Sequence, residues 1–202
     1  MNNYESELKK LYNYYFNELR PFIIEIETNL NLFPQKTLIQ IFNFDDNITE
    51  LFNDNNEDSN YYLIKAEEFI DNGIIESLEV LCFAPIQDIN KFKKDFGNFN
   101  LKKLDFYKDY KNSYDLFQKQ LKVASELKQK KGDLKKIISE FKKAYESLKN
   151  TINILKENGF SIAESASGER KIIFNRIIKY VTLSLTFVIS LTLSIIFQYL
   201  FS

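Results

Sequence analysis

Apolar side chains recur at alternating steps of four and three residues along two stretches in the middle of the chain. This spacing places them on one side of an α-helix and is typical of the seam of a coiled coil. The sequence therefore predicts two amphipathic helices. The upstream seam is Tyr110, Tyr114, Phe117, Leu121 and Ala124, and the downstream seam is Leu134, Ile138, Phe141, Tyr145, Leu148, Ile152 and Leu155.

The two seams do not share one register. Leu134 lies ten positions after Ala124, and at about 100° per residue the second seam falls some 80° short of three full turns. Between them lie Gly132 and Asp133, which suit a C′ position and an N-cap respectively. An antiparallel helical hairpin over residues 101–158 brings both seams together, whereas a single straight rod does not.

Residues 1–100 are predicted to form an acidic, mainly helical domain. Their first apolar residues are spaced as in an amphipathic helix that ends before Pro21. Directly after it, residues Phe22–Thr28 alternate between apolar and polar side chains, a pattern that is compatible with a short strand.

The remainder of this region predicts further helices. One begins after Pro34, and two more are separated by Asn72 and Gly73, the second of them ending at Pro85. The chain has only five Gly and three Pro and no hairpin-type turn between strand-like runs. We therefore predict an all-α fold: a helical N-terminal domain, an antiparallel helical hairpin and a single C-terminal transmembrane helix.

The transmembrane prediction rests on the last 23 residues, 180–202, which carry no charged side chain. Thirteen of them are Val, Leu, Ile or Phe. As a helix this run is about 33 Å long, which is enough to cross a hydrocarbon core of about 30 Å. The alternative is a buried core helix, but uncharged runs of this length are rare in soluble cores. Residues 171–202 are therefore predicted to be a membrane anchor with a basic flank.

Basic residues on one side of this run predict its orientation. Because Lys and Arg are enriched on the cytoplasmic side of membranes, the domain before the anchor is expected in the cytoplasm, with the flank against the anionic inner leaflet. Asn158 and Gly159 suit a left-handed helix end. Residues 159–170, rich in Ser, Ala and Gly, are predicted to be a flexible linker. The flank consists of Arg170, Lys171, Arg176 and Lys179.

Polar side chains recur every four residues within the anchor. Steps of four form a slanted ridge on a helix, and small hydroxyl residues at this spacing allow transmembrane helices to approach closely. The alternative is that these side chains bond to their own backbone and face lipid. The ridge predicts a homo-oligomer, and it consists of Thr182, Thr186, Ser190, Ser194 and Gln198.

Charge is distributed unevenly along the chain. Residues 1–90 contain 5 Lys and Arg against 17 Asp and Glu, whereas residues 91–149 contain 17 Lys, no Arg and 8 acids. The two regions could attract each other and pack together, or the Lys-rich region could lie over anionic lipid. Nucleic acid is the least favoured partner, because Arg supplies the bidentate contacts to bases and phosphates.

The sequence offers little catalytic chemistry. It has no His, a single Cys82 in an apolar stretch and no glycine-rich phosphate loop, which excludes His-based catalysis, Cys-cluster zinc sites and common nucleotide sites. No enzyme activity, cofactor or metal is predicted. We expect a tail-anchored interaction or scaffold protein with an unidentified protein partner. The alternative is a membrane-active effector whose assembled anchors permeabilise the membrane when the soluble domain is triggered.

Overall fold

The structure is a computed structural model that describes residues 4–52, 59–96, 104–159 and 162. The described part is all-helical and contains no strand, so the predicted fold class is confirmed to this extent. Its elements are α1 (Tyr4–Tyr14), a π-helical turn (Tyr15–Leu19), α2 (Arg20–Glu25), a second π-helical turn (Ile26–Leu30), α3 (Gln35–Leu51), α4 (Ser59–Phe96), α5 (Tyr107–Gln129) and α6 (Leu134–Glu157).

The first four elements follow one another without a break, so residues 4–30 form one continuous helix, hereafter the N-terminal helix. The predicted end before Pro21 is wrong, because this proline lies in the first turn of α2, where a missing N–H is tolerated. The predicted strand at Phe22–Thr28 is also wrong. Ile23 and Ile26 are both buried, and their spacing of three residues places them on one side of a helix.

The π-helical turns keep the apolar side of this helix facing the core. Leu11 and Leu19 are both buried although they are eight residues apart. In a regular α-helix eight residues turn about 800°, which would leave the two side chains about 80° apart. A π-helical turn contains more residues per turn and reduces this difference.

The predicted breaks within α4 are wrong, since this helix runs through both Gly73 and Pro85. The glycine serves a close helix contact: a Cβ added to Gly73 would lie 2.8 Å from Cδ2 of Leu19 in the N-terminal helix. Pro85 removes one backbone N–H from the middle of α4 without ending it.

The turn between α5 and α6 has the geometry of a Schellman motif. The N–H of Gly132 donates to the carbonyl of Leu127, and the N–H of Lys131 donates to that of Lys128, both at 3.0 Å. The left-handed residue is Lys131, with φ of 53°, so the predicted C′ position of Gly132 is wrong by one residue. Asp133 is the N-cap, as predicted, and its carboxylate accepts the N–H of the third residue of α6 at 2.8 Å.

At its other end, α6 stops at Glu157 without a left-handed residue. Asn158 has φ of −102°, and no glycine in the described ranges has a positive φ, so the predicted left-handed end is wrong. The carbonyl of Asn158 instead accepts the N–H of Ile162 at 3.0 Å, and Ile162 is buried. This hydrogen bond satisfies the carbonyl of Asn158.

The helices alternate in direction around a central α4. Thr37 near the start of α3 contacts Ser77 in α4 at 3.1 Å, and Gln40, further along α3, lies beside the earlier residue Gly73. These neighbours are therefore antiparallel, and α5 and α6 are antiparallel as well. The N-terminal helix, α4 and α6 therefore run parallel to one another. A single apolar core connects them and includes residues on both sides of residue 100, among them Ile74 and Phe141.

Candidate functional site

Three lysines at intervals of seven residues follow one side of α6: Lys135, Lys142 and Lys149. Seven residues turn about 700°, so each lysine lies only about 20° from the previous one around the helix. All three face the N-terminal helix, and each Nζ lies within 4.0 Å of a carboxylate oxygen on another element. We call these residues the lysine ladder.

The first position of the ladder connects three helices. Lys135 Nζ lies 2.9 Å from Asp71 and 2.8 Å from Glu67, both in α4, and 3.1 Å from the hydroxyl of Tyr14. Tyr14 donates to Asp71 at 2.6 Å. The Asp71 side chain is 6% exposed, so this carboxylate needs such partners in place of water.

Ionisation of these groups reflects that environment. Burial, and then the hydrogen bond to Asp71, raise the pKa of Tyr14 to about 12. Burial lowers the pKa of Lys135, but its hydrogen bonds to Glu67 and Asp71 outweigh this effect and leave the pKa above its usual value. Tyr14 therefore remains a neutral donor and Lys135 remains charged across the physiological range.

The other two positions bridge α6 and the N-terminal helix directly. Lys142 Nζ lies 2.6 Å from Glu18, and Lys149 Nζ lies 3.6 Å from Glu25. Lys149 also lies over the ring of Tyr145, 4.5 Å from its centroid. Burial and a hydrogen bond to Glu25 raise the pKa of Tyr145. The ladder is therefore a row of cation, carboxylate and aromatic groups along one helix boundary.

A fourth lysine, in α5, makes a similar bridge to α4. Lys128 Nζ lies 3.0 Å from Glu76 and 2.8 Å from Glu79. With the ladder, these contacts join the Lys-rich region to the acidic region within one molecule. They support the account in which the two regions pack together. They also leave each of these four lysines close to at least one protein carboxylate.

The opposite side of α6, which faces α5, carries an uncharged polar network. Ser113 Oγ lies 3.0 Å from Thr151 Oγ1 and 3.0 Å from Asn150 Nδ2, and Ser147 Oγ donates to Gln120 at 2.7 Å. Thr151 is fully buried. Small hydroxyl side chains at these positions allow the two helices to lie close together and fix how they align.

The predicted hairpin seam lies on the inner sides of α5 and α6. The sequence pattern did not identify Ile137, Ala144 and Thr151, which are also buried. They make the buried side of α6 wider than the predicted seam, because this helix contacts both α4 and α5. Of the seam residues, Leu134, Ile152 and Leu155 are partly buried, and Tyr110, Tyr114, Phe117, Leu121, Ile138, Phe141, Tyr145 and Leu148 are buried.

A cavity of about 550 Å³ lies beside the last position of the ladder, between the end of the N-terminal helix, α4 at Pro85 and the end of α6. Cys82 lies close by in α4, and it is buried as predicted. Burial raises the pKa of this thiol to about 12, which makes it unreactive. Within the described residues, no group of three or more His, Cys, Asp or Glu side chains could hold a metal ion.

The sequence did contain a signal for the ladder. Lysines recur at 135, 142, 149 and 156, and Glu18 and Glu25 show the same interval of seven. A pattern of this kind reveals matching charged sides on two helices. It does not reveal that helices more than a hundred residues apart are neighbours.

The remaining predicted sites lie outside the described residues. They are the linker at 159–170 apart from Gly159 and Ile162, the flank and the anchor ridge: Arg170, Lys171, Arg176, Lys179, Thr182, Thr186, Ser190, Ser194 and Gln198. Among the helices that the structure does describe, none combines the length and the apolar character needed to cross a bilayer.

No protein-family model, curated protein or solved structure matches this chain.

Proposed function

We propose that this chain is a cytoplasmic helical interaction protein that is held at the membrane by residues 171–202. The observation that carries the proposal is the run of 23 uncharged residues at 180–202 behind a basic flank, which satisfies the length and polarity requirements of a transmembrane helix. The ridge that begins at Thr182 and Thr186 supports self-association of the anchor.

The uneven exposure of apolar side chains supports a role in binding a protein partner. Phe33, Phe42 and Phe52 are 68%, 65% and 67% exposed, and all three lie in or next to α3. Of the large apolar side chains described in α6, none is exposed to this degree. Exposed apolar residues concentrated in one region are typical of interaction surfaces.

The experiment that tests this proposal separates anchoring from self-association. We expect the full chain to float with membranes and to form crosslinked oligomers. Replacing Thr182, Thr186, Ser190 and Ser194 together with Leu should preserve flotation and abolish the oligomers. A matched variant with Leu at Ser184 and Thr192, which lie off the ridge, should retain them. A chain that stays in the soluble fraction contradicts the anchor, and unchanged oligomers contradict the ridge.

The second candidate is a membrane-active effector, favoured by the continuous polar ridge that ends with Gln198. In that case assembled anchors would conduct ions when the helical domain is triggered. The discriminating measurement is the membrane potential of bacteria that express the full chain, read with a voltage-sensitive dye. Depolarisation by the full chain, but not by the ridge variant, favours the effector, and an unchanged potential with protein in the membrane favours the scaffold.

A further inference from the structure

The cavity beside Pro85 has a mixed lining, and we call its apolar part the floor. Leu30, Leu81, Pro85 and Ile152 line it from three different helical elements. Its volume of about 550 Å³ falls within the range of small-molecule sites, about 300–1,000 Å³. Because Pro85 has no N–H, it cannot donate the usual helical hydrogen bond to the carbonyl of Leu81.

The rim of the cavity is polar and carries a net positive charge. Lys149, Lys156 and Glu25 contribute the charges, and Asn29 and Asn153 contribute amides. Glu25 is already engaged by the hydroxyl of Tyr145 and by Lys149, whereas Lys156 makes no ion pair with any residue in the described ranges. A ligand therefore meets an apolar floor and, at the entrance, the ammonium group of Lys156, which pairs with no carboxylate of the described residues.

The position of the cavity suits a ligand that comes from a bilayer. It lies at the end of α6, from which the chain continues through the predicted linker to the predicted anchor. If the anchor spans the membrane, this end of the helical domain is the end tethered to it. If residues 163–170 behave as the predicted flexible linker, they reach roughly 16 Å, which puts a lipid head group within range of the rim.

We propose that this cavity binds an anionic amphiphile, with its acyl chain on the apolar floor and its anionic group between Lys149 and Lys156. The proposal rests on the proposed membrane anchoring for the source of the ligand, a phospholipid, but not for the chemistry of the site. A free fatty acid has the same combination of chain and charge, and the experiment distinguishes the two sources.

The test uses the full chain in phosphatidylcholine vesicles that contain phosphatidylglycerol with a photoreactive acyl chain. After illumination, mass spectrometry locates the adducts. We expect adducts in the peptides that contain Leu81, Pro85 and Ile152, in addition to any in the anchor. A photoreactive phosphatidylcholine at the same density should give few adducts in these peptides. Adducts confined to residues 171–202 would overturn the proposal that the cavity binds lipid, and they would still agree with the proposed membrane anchoring.

Two pairs of substitutions test the role of charge. Replacing both Lys149 and Lys156 with Met should reduce the yield of adducts in the cavity peptides. Each lysine that contacts the anion should account for about a fivefold reduction. Lys136→Met with Lys143→Met removes the same charge from the outer side of α6 and should have no effect. Asn153→Trp keeps both cavity lysines and narrows the entrance, so it should also reduce the adducts. Equal labelling of all variants would contradict a site at this position.

The source of the ligand is tested with a photoreactive fatty acid added in solution. Labelling by the fatty acid but not by the phospholipid assigns the site to a free amphiphile. If the protein fails to float, the proposed anchoring is wrong, and the fatty acid alone then decides whether the cavity binds an amphiphile. Glycerol 3-phosphate carries the anionic group but has no acyl chain. If it blocks labelling by the photoreactive fatty acid as well as an unlabelled fatty acid does, the cavity is a simple anion site and the proposal is overturned.

Discussion

The two sides of α6 form boundaries of opposite character. Towards α5, the contacts are small and uncharged, with Ala144 and Thr151 fully buried and a hydroxyl network around Ser113. Towards the N-terminal helix, long side chains cross a wider gap, as in the pair of Lys142 and Glu18. A single helix thus uses close apolar packing on one side and charge on the other.

The difference separates what stabilises the bundle from what selects its arrangement. Leu11, Leu19, Ile23 and Ile26 of the N-terminal helix are buried in the core, and each contributes about 1.5–3 kcal/mol. A partly exposed ion pair contributes about 0.2–1 kcal/mol. Apolar burial therefore holds the N-terminal helix in place, and the lysine ladder favours its position along this side of α6.

The largest effect should come from the apolar core that both sides of α6 share. Phe141 is fully buried, and Phe141→Ala should lower the free energy of unfolding by about 3–5 kcal/mol because it leaves a cavity. Denaturant unfolding of the full chain in detergent measures this loss. Leu116→Ala in α5 removes an exposed side chain and should change stability by about 0.5 kcal/mol or less. Similar losses for both variants would contradict this account of the core.

The first position of the ladder should be the most costly charged site to disrupt. Asp71→Ala leaves Lys135 and Tyr14 without their buried acceptor and should cost about 1–3 kcal/mol in denaturant unfolding. Glu67→Ala removes a half-exposed partner of the same lysine and should cost about 1 kcal/mol or less. Equal costs would mean that the burial of Asp71 is not what makes this position important.

A contact between the N-terminal helix and α4 tests close packing without charge. Gly73→Ala should improve the helix propensity of α4 by about 1 kcal/mol, but its Cβ would meet buried Leu19 at 2.8 Å. Because Leu19 has little room to move, we expect a net destabilisation of about 1 kcal/mol. In a Leu19→Ala background the same substitution should become stabilising. Destabilisation in both backgrounds would show that the backbone of α4 requires glycine for another reason.

Much of the helical architecture could be predicted from local patterns. The 4-3 spacing identified the inner sides of α5 and α6, and Asp133 was identified correctly as an N-cap because capping depends on a few adjacent residues. Two of the errors concern residues whose role depends on a distant neighbour. Gly73 and Pro85 resemble helix breaks in the sequence, yet one permits contact with Leu19 and the other lines a cavity.

The candidate site was predictable only in part for the same reason. The opposite charges of the two regions suggested attraction between them, and the lysine interval is visible in the sequence. The pairing of Lys142 with Glu18, however, depends on the alternating directions of five helices and on the π-helical turns of the N-terminal helix. Neither of these features has a local pattern in this sequence.

Alkaline pH should lower the free energy of unfolding of the bundle through Tyr14. The pKa of Tyr14 is raised from 10.0 to about 12, so between these pH values the unfolded chain loses a proton that the folded chain retains. Stability is therefore unaffected by this group below pH 10.0 and falls as the pH rises towards 12. The slope of the free energy of unfolding against pH gives the number of protons released on unfolding. Tyr14→Phe should reduce this number by about one, measured by denaturant unfolding at several pH values. An unchanged slope in the Tyr14→Phe variant would contradict this account of Tyr14.

The smallest effect should come from a single half-exposed position of the ladder. A double-mutant cycle with Glu18→Gln and Lys142→Met should give a coupling of about 0.2–1 kcal/mol at low salt. At 1 M salt, where the screening length is about 3 Å, this coupling should largely disappear. The cycle of Ser113→Ala and Thr151→Val at the α5 boundary should retain its coupling at both salt concentrations, because no charge is involved. If both couplings respond to salt alike, the two sides of α6 do not differ in the way that their side chains indicate.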